Sequence, residues 1–268
     1  MTLEHEDIDK LSVGIEPENW TLLIPAAGKG TRLGYHLPKI LYPILDRPML
    51  DWLLDIFRGL YEKLIIIVSP EGSVPIEEYL KNHSERNWAL VEQPMPMGMG
   101  DAVLRGLEAS VTPYTVCVWG DQIALKRQTV LAGMKVLQAY EHVSMTLPTH
   151  CSCNPYIHLQ RDKNGNIVEV LQAREGDAMP STGESDCGVF FMRSSVVLDC
   201  LKHLINEDVS VKLRGRQSRE FNFLPILPYL SDVASLRITK EEETLGVNTR
   251  DDARRVSFFL TVDSSLIC

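Results

Sequence analysis

Residues 22–42 read LLIPAAGKGTRLGYHLPKILY. A short apolar run, Leu22 to Ile24, ends in Pro25, Ala26 and Ala27, and a loop with Gly28, Gly30 and Gly34 follows. A buried strand that stops at a small-residue loop is how α/β folds build phosphate sites. Glycine lets the backbone reach φ > 0 and come close to a ligand, so successive N–H groups face one anion. Lys29, Arg32 and Lys39 add positive charge within 11 positions of a chain whose net charge is -9. The plainer alternative is a strand-to-helix turn with its lysines in solvent. Two familiar motifs do not fit. GxxxxGK[ST] fails because Lys29 precedes Gly30, and GxGxxG fails because Leu33 stands where the third glycine belongs.

Outward from this loop, Leu50, Leu53, Leu54 and Phe57 fall at i, i+3, i+4 and i+7, which predicts an amphipathic helix opened by Pro48 and closed around Gly59. LIIIV at 64–68 and TVCVW at 115–119 read as strands buried on both faces of a parallel sheet. Helices near 75–81 and 101–109 and a short strand at 88–91 complete an alternation that means right-handed βαβ units. After about residue 140 the pattern changes. Strands are expected at 144–148, 156–160 and 167–171, with Asn164-Gly165 a hairpin turn between the last two. A strand at 187–192, helices at 194–204 and 221–230, a strand at 235–238 and a C-terminal helix over 251–268 finish the chain. One mixed α/β domain over 20–268 is the expectation, with 1–19 an acidic lead-in, frayed or a short surface helix.

Hydrophobic content of 44% and charged content of 24% suit a globular protein with a sizeable core. No apolar run approaches the ~18 residues that span a bilayer, so no membrane partner is expected. Residues 1–19 also lack the basic and apolar regions of a signal peptide. The acidic balance argues against nucleic acid, whose binding needs a basic face. Six scattered cysteines (Cys117, Cys151, Cys153, Cys187, Cys200, Cys268) read as reduced thiols of a cytoplasmic protein. Cys151-Ser152-Cys153 beside His150 lacks the second pair of a zinc site.

The string AAGKGTRLGYHLPKILYPI, residues 26–44, resembles the signature L-x-x-G-x-G-T-R-[ML]-…-P-K of the nucleoside-diphosphate-sugar pyrophosphorylases, the sugar-1-phosphate nucleotidylyltransferases. Within that family it is most similar to the uridylyltransferase domain that makes UDP-N-acetylglucosamine. The resemblance spans about residues 20–250 and implies a single Rossmann-like nucleotidyltransferase domain. Its mostly parallel mixed sheet is flanked by helices, with a nucleotide-binding half at 20–140 and a smaller, partly antiparallel sugar-binding half at 141–250. The implied reaction joins a sugar 1-phosphate to UTP or dTTP with Mg²⁺ and releases pyrophosphate. A homo-oligomer is a further implication.

Carried onto this sequence, the family pattern assigns nucleotide binding to Ala26, Ala27, Gly28, Gly30 and Thr31 and catalysis to Arg32 and Lys39. Lys29 faces either phosphate or water. Asp121, after the strand at 115–119, becomes a Mg²⁺ ligand; on its own residues it is equally a turn or cap aspartate. Asn248 in Gly246-Val247-Asn248 becomes the second ligand, or else caps the following helix, since one oxygen cannot do both. Gln93 and Gly98, five apart, read uracil or thymine, a glutamine amide matching a pyrimidine imide edge. Glu169, Asp186 and Gly120 bind the sugar. Val170 stands where many relatives carry a lysine for the sugar phosphate, and Arg174 is the candidate replacement.

Three other readings compete. A cytidylyltransferase acting on an alcohol phosphate such as phosphocholine keeps the fold, but Gln93 argues against cytosine. A glycosyltransferase wants Asp-x-Asp, and Asp121-Gln122-Ile123 lacks the second acid. A non-catalytic nucleotide-sugar-binding regulatory protein has no need of Gly28, Arg32, Lys39, Asp121 and Asn248 together.

Overall fold

A computed structural model of the chain describes residues 1–3, 8, 11–28, 30–83, 85, 87–206, 213–238 and 240–265. Among these residues one nine-stranded sheet organises the molecule. In chain order the strands are β1 (Thr2–Leu3), β2 (Trp20–Pro25), the small pair β3 (Pro43–Ile44) and β4 (Arg47–Pro48), β5 (Lys63–Val68), β6 (Trp88–Glu92) and β7 (Tyr114–Val118). There follow β8 (Met145–Cys153), β9 (Ile157–Arg161), β10 (Ile167–Gln172), β11 (Thr182–Asp186), β12 (Val189–Arg193) and β13 (Val233–Arg237). The sheet order is β1-β13-β8-β12-β7-β2-β5-β6, with β11 paired to the outer half of β8. β12 runs antiparallel between β7 and β8, and the rest of the path is parallel.

Period-two alternation splits the buried runs between two cores. Leu22, Ile24, Leu64, Ile66, Val116 and Val118 face one side, whereas Leu23, Ile65, Ile67 and Cys117 face the other. The first side is covered by α1 (Met49–Phe57), α2 (Pro70–Lys81), α4 (Arg127–Ala139) and α6 (Arg250–Ser265). The second is covered by α3 (Met99–Ala109) and α5 (Ser194–Asn206). Because β2, β5, β6 and β7 are parallel, the loops after Pro25, Val68, Glu92 and Val118 emerge at one edge. That edge is where open α/β sheets bind ligands.

Several elements differ from their sequence reading. The first residues are not a surface lead-in. Thr2 and Leu3 pair in parallel with Ser235 and Leu236 as the edge strand, and the Met1 ammonium donates to the Val233 carbonyl at 3.1 Å. Helix α2 starts at Pro70 rather than 75, since Ser69 caps it by accepting from Gly72 N at 3.1 Å and proline suits the first turn. The helix expected at 221–230 is a 3₁₀ turn, Leu224–Tyr229, because Pro225 and Pro228 cannot donate to an α-helical ladder. The Asn164-Gly165 hairpin is present between β9 and β10, with Gly165 at φ 85°. The C-terminal helix is described to Ser265, and 266–268 lie outside the described residues. Among the described residues no helix is long and apolar enough to cross a membrane.

Candidate active site

The loop after β2 begins with Ala26, whose N–H is spent on the Ile67 carbonyl at 2.8 Å, so it cannot serve a ligand. Ala27, Gly28 and Gly30 follow, and among the described residues their N–H groups have no protein acceptor. Lys29 lies outside the described residues. Gly30 adopts φ 58° and starts the 3₁₀ turn Thr31–Leu33. A Cβ there would lie 2.7 Å from the Lys39 Cβ, so glycine is what lets the loop close on Lys39.

Lys39 opens a second 3₁₀ turn, Lys39–Leu41, and reaches across to the other strand ends. Its Nζ lies 2.7 Å from Asp121 Oδ2 and 2.9 Å from Asn248 Oδ1, and Arg32 Nη2 donates to the same Asn248 oxygen at 3.4 Å. The Lys39 and Asp121 side chains are 18% and 15% exposed, so the pair is shielded but reachable. Asp121 follows β7, and its carbonyl accepts from Val247 N at 3.1 Å, which ties the 246–248 segment to this strand end. It caps no helix, because α4 starts only at Arg127.

The helix-capping role open to Asn248 is taken by its neighbours. Thr249 Oγ1 accepts from Asp252 N at 3.2 Å while Asp252 Oδ2 accepts from Thr249 N at 2.8 Å, a reciprocal cap three residues apart. Asp252 takes the Asn248 N–H too, leaving the Asn248 side chain to the cleft. Thr249-x-x-Asp252 was the sequence signal for this. The Asp121 carboxylate and the Asn248 amide oxygen both face the Lys39 ammonium, and one carboxylate with one amide oxygen is a hard donor pair of the kind Mg²⁺ takes.

On the next loop, Gln93 and Gly98 do come together: Gln93 Nε2 donates to the Gly98 carbonyl at 3.0 Å. Gly98 sits at φ 104°, and a Cβ would lie 2.6 Å from the Phe221 carbonyl. Phe221 N in turn donates to Met97 O, and Gly100 N to Phe221 O, both at 2.7 Å. The bare backbone of Gly98 therefore accommodates the 214–222 segment, which sequence reading had not placed against this loop.

Beside Asp121 and Asn248 opens a cavity of about 530 Å³. Asp186 lines it, accepting from Gly188 N at 2.9 Å, and burial pushes its carboxyl up to about 6. Gly120 sits between Trp119 and Asp121, two residues that line the cavity. Glu169 is not brought to it. This residue is exposed and lines an adjoining cavity of about 420 Å³, which shares Gln172 and Asn222 with the first. The cause is a bulge between Ile167 and Glu169, which shifts the alternation along β10. Gln172 of the same strand lines both cavities, and Arg174 of the turn that follows lines the first. Arg174 pairs with Glu220 at 2.8 Å, and that pairing raises its pKa. Neighbouring Glu175 is buried and binds the 217–222 segment: burial pushes its carboxyl up, but donors from Ser218, Gln217 and Asn222 prevail and bring it to about 2.

A family model described as the MobA-like NTP transferase domain matches residues 22–178, from the loop strand through the Gln172–Arg174 wall. The chain belongs to that family. As a MobA-like NTP transferase it is 26% identical over 249 residues to the bifunctional protein GlmU of Pelobacter propionicus, covering 87% of this chain and 50% of that protein. The GlmU of Lactobacillus helveticus is 26% identical over 238 residues, 85% of this chain and 49% of that protein. The chain thus spans about half the length of the relatives it matches. Two solved structures share the fold. A UDP-glucose pyrophosphorylase complexed with UDP-glucose superposes with TM-score 0.68 at 14% identity, over 91% of this chain and 98% of that one. A 4-diphosphocytidyl-2C-methyl-D-erythritol synthase from Anaerococcus prevotii gives 0.61 at 12%, over 92% and 100%.

Proposed function

We propose that this MobA-like NTP transferase moves a nucleotidyl group from a nucleoside triphosphate, UTP first, onto a sugar 1-phosphate and releases pyrophosphate. One observation carries the reading: Lys39, Arg32, Asp121 and Asn248 converge at the strand-end edge, directly beside a cavity of about 530 Å³. The GlmU relatives, matched over most of this chain, support the nucleotide-sugar class. The scattered cysteines, five of them free in the described residues, support a reducing compartment such as the cytoplasm.

An oxygen of the acceptor phosphate forms the new bond to the α-phosphorus, and the bond from that phosphorus to the bridging oxygen of the β-phosphate breaks. The electron pair leaves with pyrophosphate. The attacking monoester is already an anion, so no side chain need remove a proton. Positioning and charge stabilisation carry the rate. The N–H groups of Ala27, Gly28 and Gly30 are free to meet phosphate oxygens. Arg32 supplies a planar fork for the departing pyrophosphate, and Lys39 a point charge for the triphosphate. Asp121 and Asn248 would hold Mg²⁺, which neutralises phosphate charge when bound. Asp186 accepts hydroxyl hydrogens of the sugar, while Gln172 and Arg174 form the wall facing its phosphate.

Pyrophosphate release tests this, crossing UTP, dTTP, CTP, GTP and ATP with sugar 1-phosphates and phosphocholine. Turnover is expected with a sugar 1-phosphate and UTP, and Asp121→Asn should lower kcat by about 10³-fold. Turnover with phosphocholine and CTP alone would replace the reading. Silence with every pair, despite binding of a UDP-sugar, would make the protein a sensor.

A further inference from the structure

Gln93 is buried, 6% exposed, and its amide nitrogen spends both hydrogens on protein. One goes to the Gly98 carbonyl at 3.0 Å, the other to Asp101 Oδ2 at 2.8 Å. Among the described residues its Oε1 has no partner, and the atom is not sealed from solvent. Turning the amide over would set that oxygen against two acceptors at hydrogen-bond distance with no hydrogen between them.

Neither acceptor is free to move aside. Gly98 is pressed against the Phe221 backbone, which also bonds Met97 and Gly100. Asp101, in the first turn of α3, is held one turn on by Arg105, whose Nε donates to the same Oδ2 at 2.8 Å. The chain Arg105–Asp101–Gln93 therefore fixes which atom of the amide is left over.

We propose that Asp101 is a positioning residue for base choice: it holds the Gln93 amide with its oxygen outward. The proposal rests on the reading of Gln93 as the base-facing residue. An outward oxygen accepts the N3–H of uracil or thymine, or the N1–H of guanine. It meets a lone pair at N3 of cytosine and at N1 of adenine. A buried polar group left opposite a like group is what gives large discrimination between otherwise similar ligands. Asp101 touches no base itself and acts through Gln93.

The test is equilibrium binding by calorimetry of UTP, dTTP, CTP, GTP and ATP with Mg²⁺ and no acceptor, using wild type and Asp101→Asn. Wild type is expected to bind UTP and dTTP about 100-fold more tightly than CTP. The substituted amide would offer Gln93 a donor as well as an acceptor, so of the two acceptors that oppose a turned-over Gln93 amide only the Gly98 carbonyl remains obligatory and the preference for one orientation weakens. In D101N the UTP:CTP affinity ratio should fall about tenfold, with CTP gaining as UTP weakens. A merely structural loss would weaken all five together and leave the ratio alone. Arg105→Gln, which loosens Asp101 without adding a donor beside Gln93, should move the ratio the same way by a few-fold, and serves if D101N does not fold. Ratios unchanged in both variants would overturn the orienting role while leaving the UTP reading intact. Wild type that prefers CTP would overturn the outward oxygen. Wild type that binds no triphosphate would overturn the nucleotide cleft and this proposal with it.

Discussion

On the side proposed to take the nucleotide, the loop after Pro25 and Asp121 stand at the ends of parallel strands buried on both faces, and Gln93 at the end of the half-buried edge strand β6. Their placement follows largely from main-chain geometry, with two charge contacts among the described residues, Lys39–Asp121 across the strand ends and Arg105–Asp101 behind Gln93. On the acceptor side, Gln172, Arg174 and Asp186 stand on the β9–β10 hairpin, the turn after it and β11, antiparallel elements at the margin of the sheet. Ionised side chains hold these in place. Arg161 grips both oxygens of Glu184 at 2.7 and 2.8 Å, Arg174 pairs with Glu220, and Glu175 gathers the 217–222 segment. The loop after β2 is positioned by its backbone turns and not by titrating carboxylates, so it should respond little to pH. A wall built from carboxylates and guanidinium groups responds to both pH and single substitutions. On the proposed function, phosphate chemistry and acceptor choice should therefore be separable in this molecule.

Three variants probe that separation, beyond the loss of turnover in Asp121→Asn. Arg174→Met should raise the KM for the sugar 1-phosphate about 10–100-fold and leave the KM for UTP alone. A matching rise for UTP would break the division into two sides. Glu175→Gln should cost about 1–3 kcal/mol in urea unfolding, because several buried donors lose a charged acceptor. The Glu175 carboxyl titrates at about 2 in the folded protein against 4.5 for the free group. Its contribution is thus complete above about 4.5 and lost as pH falls toward 2. Glu175→Gln should flatten that limb of the stability–pH curve.

Asp186 has the opposite sign and the smallest expected effect. Its folded carboxyl binds a proton up to about 6, against 3.8 for the free group, so its burial costs stability as pH rises through that window. Asp186→Asn should therefore raise Tm at pH 7.5 while raising acceptor KM several-fold. That KM gap should close on acidification to pH 5, where wild type is protonated too. The paired comparison removes the acceptor phosphate's own titration near pH 6. A gap that persists at pH 5 would remove Asp186 from the sugar contact.

The same division governs what the sequence disclosed. Gly30, Gln93 and Asp121 were legible because each lies within a few residues of a strand end, and Lys39, well beyond the end of β2, because Pro38-Lys39 completes the signature the loop resembles. Asn248 was legible as a candidate, but its freedom depends on Asp252 taking the cap. Glu169 was misplaced because the bulge after Ile167 breaks the alternation by which faces are counted. Asp101 passed as an ordinary acid in a first helical turn, since only the fold brings Gln93 and Arg105 to its oxygen. The pairing of Phe221 with Met97 and Gly100 joins positions more than 120 residues apart and carries no local pattern. Thr2–Leu3 became an edge strand only because β13 offered a free edge.

The most direct test of nucleotidyl transfer is to follow label from UTP placed at the α- or the γ-phosphorus, with the acceptor found in the turnover panel. Label from the α-position is expected in a nucleotide sugar, and label from the γ-position in pyrophosphate, in equal amounts. Label from the γ-position on the sugar phosphate, or in orthophosphate alone, would mean that the bond broken is not the one this cleft is built to break.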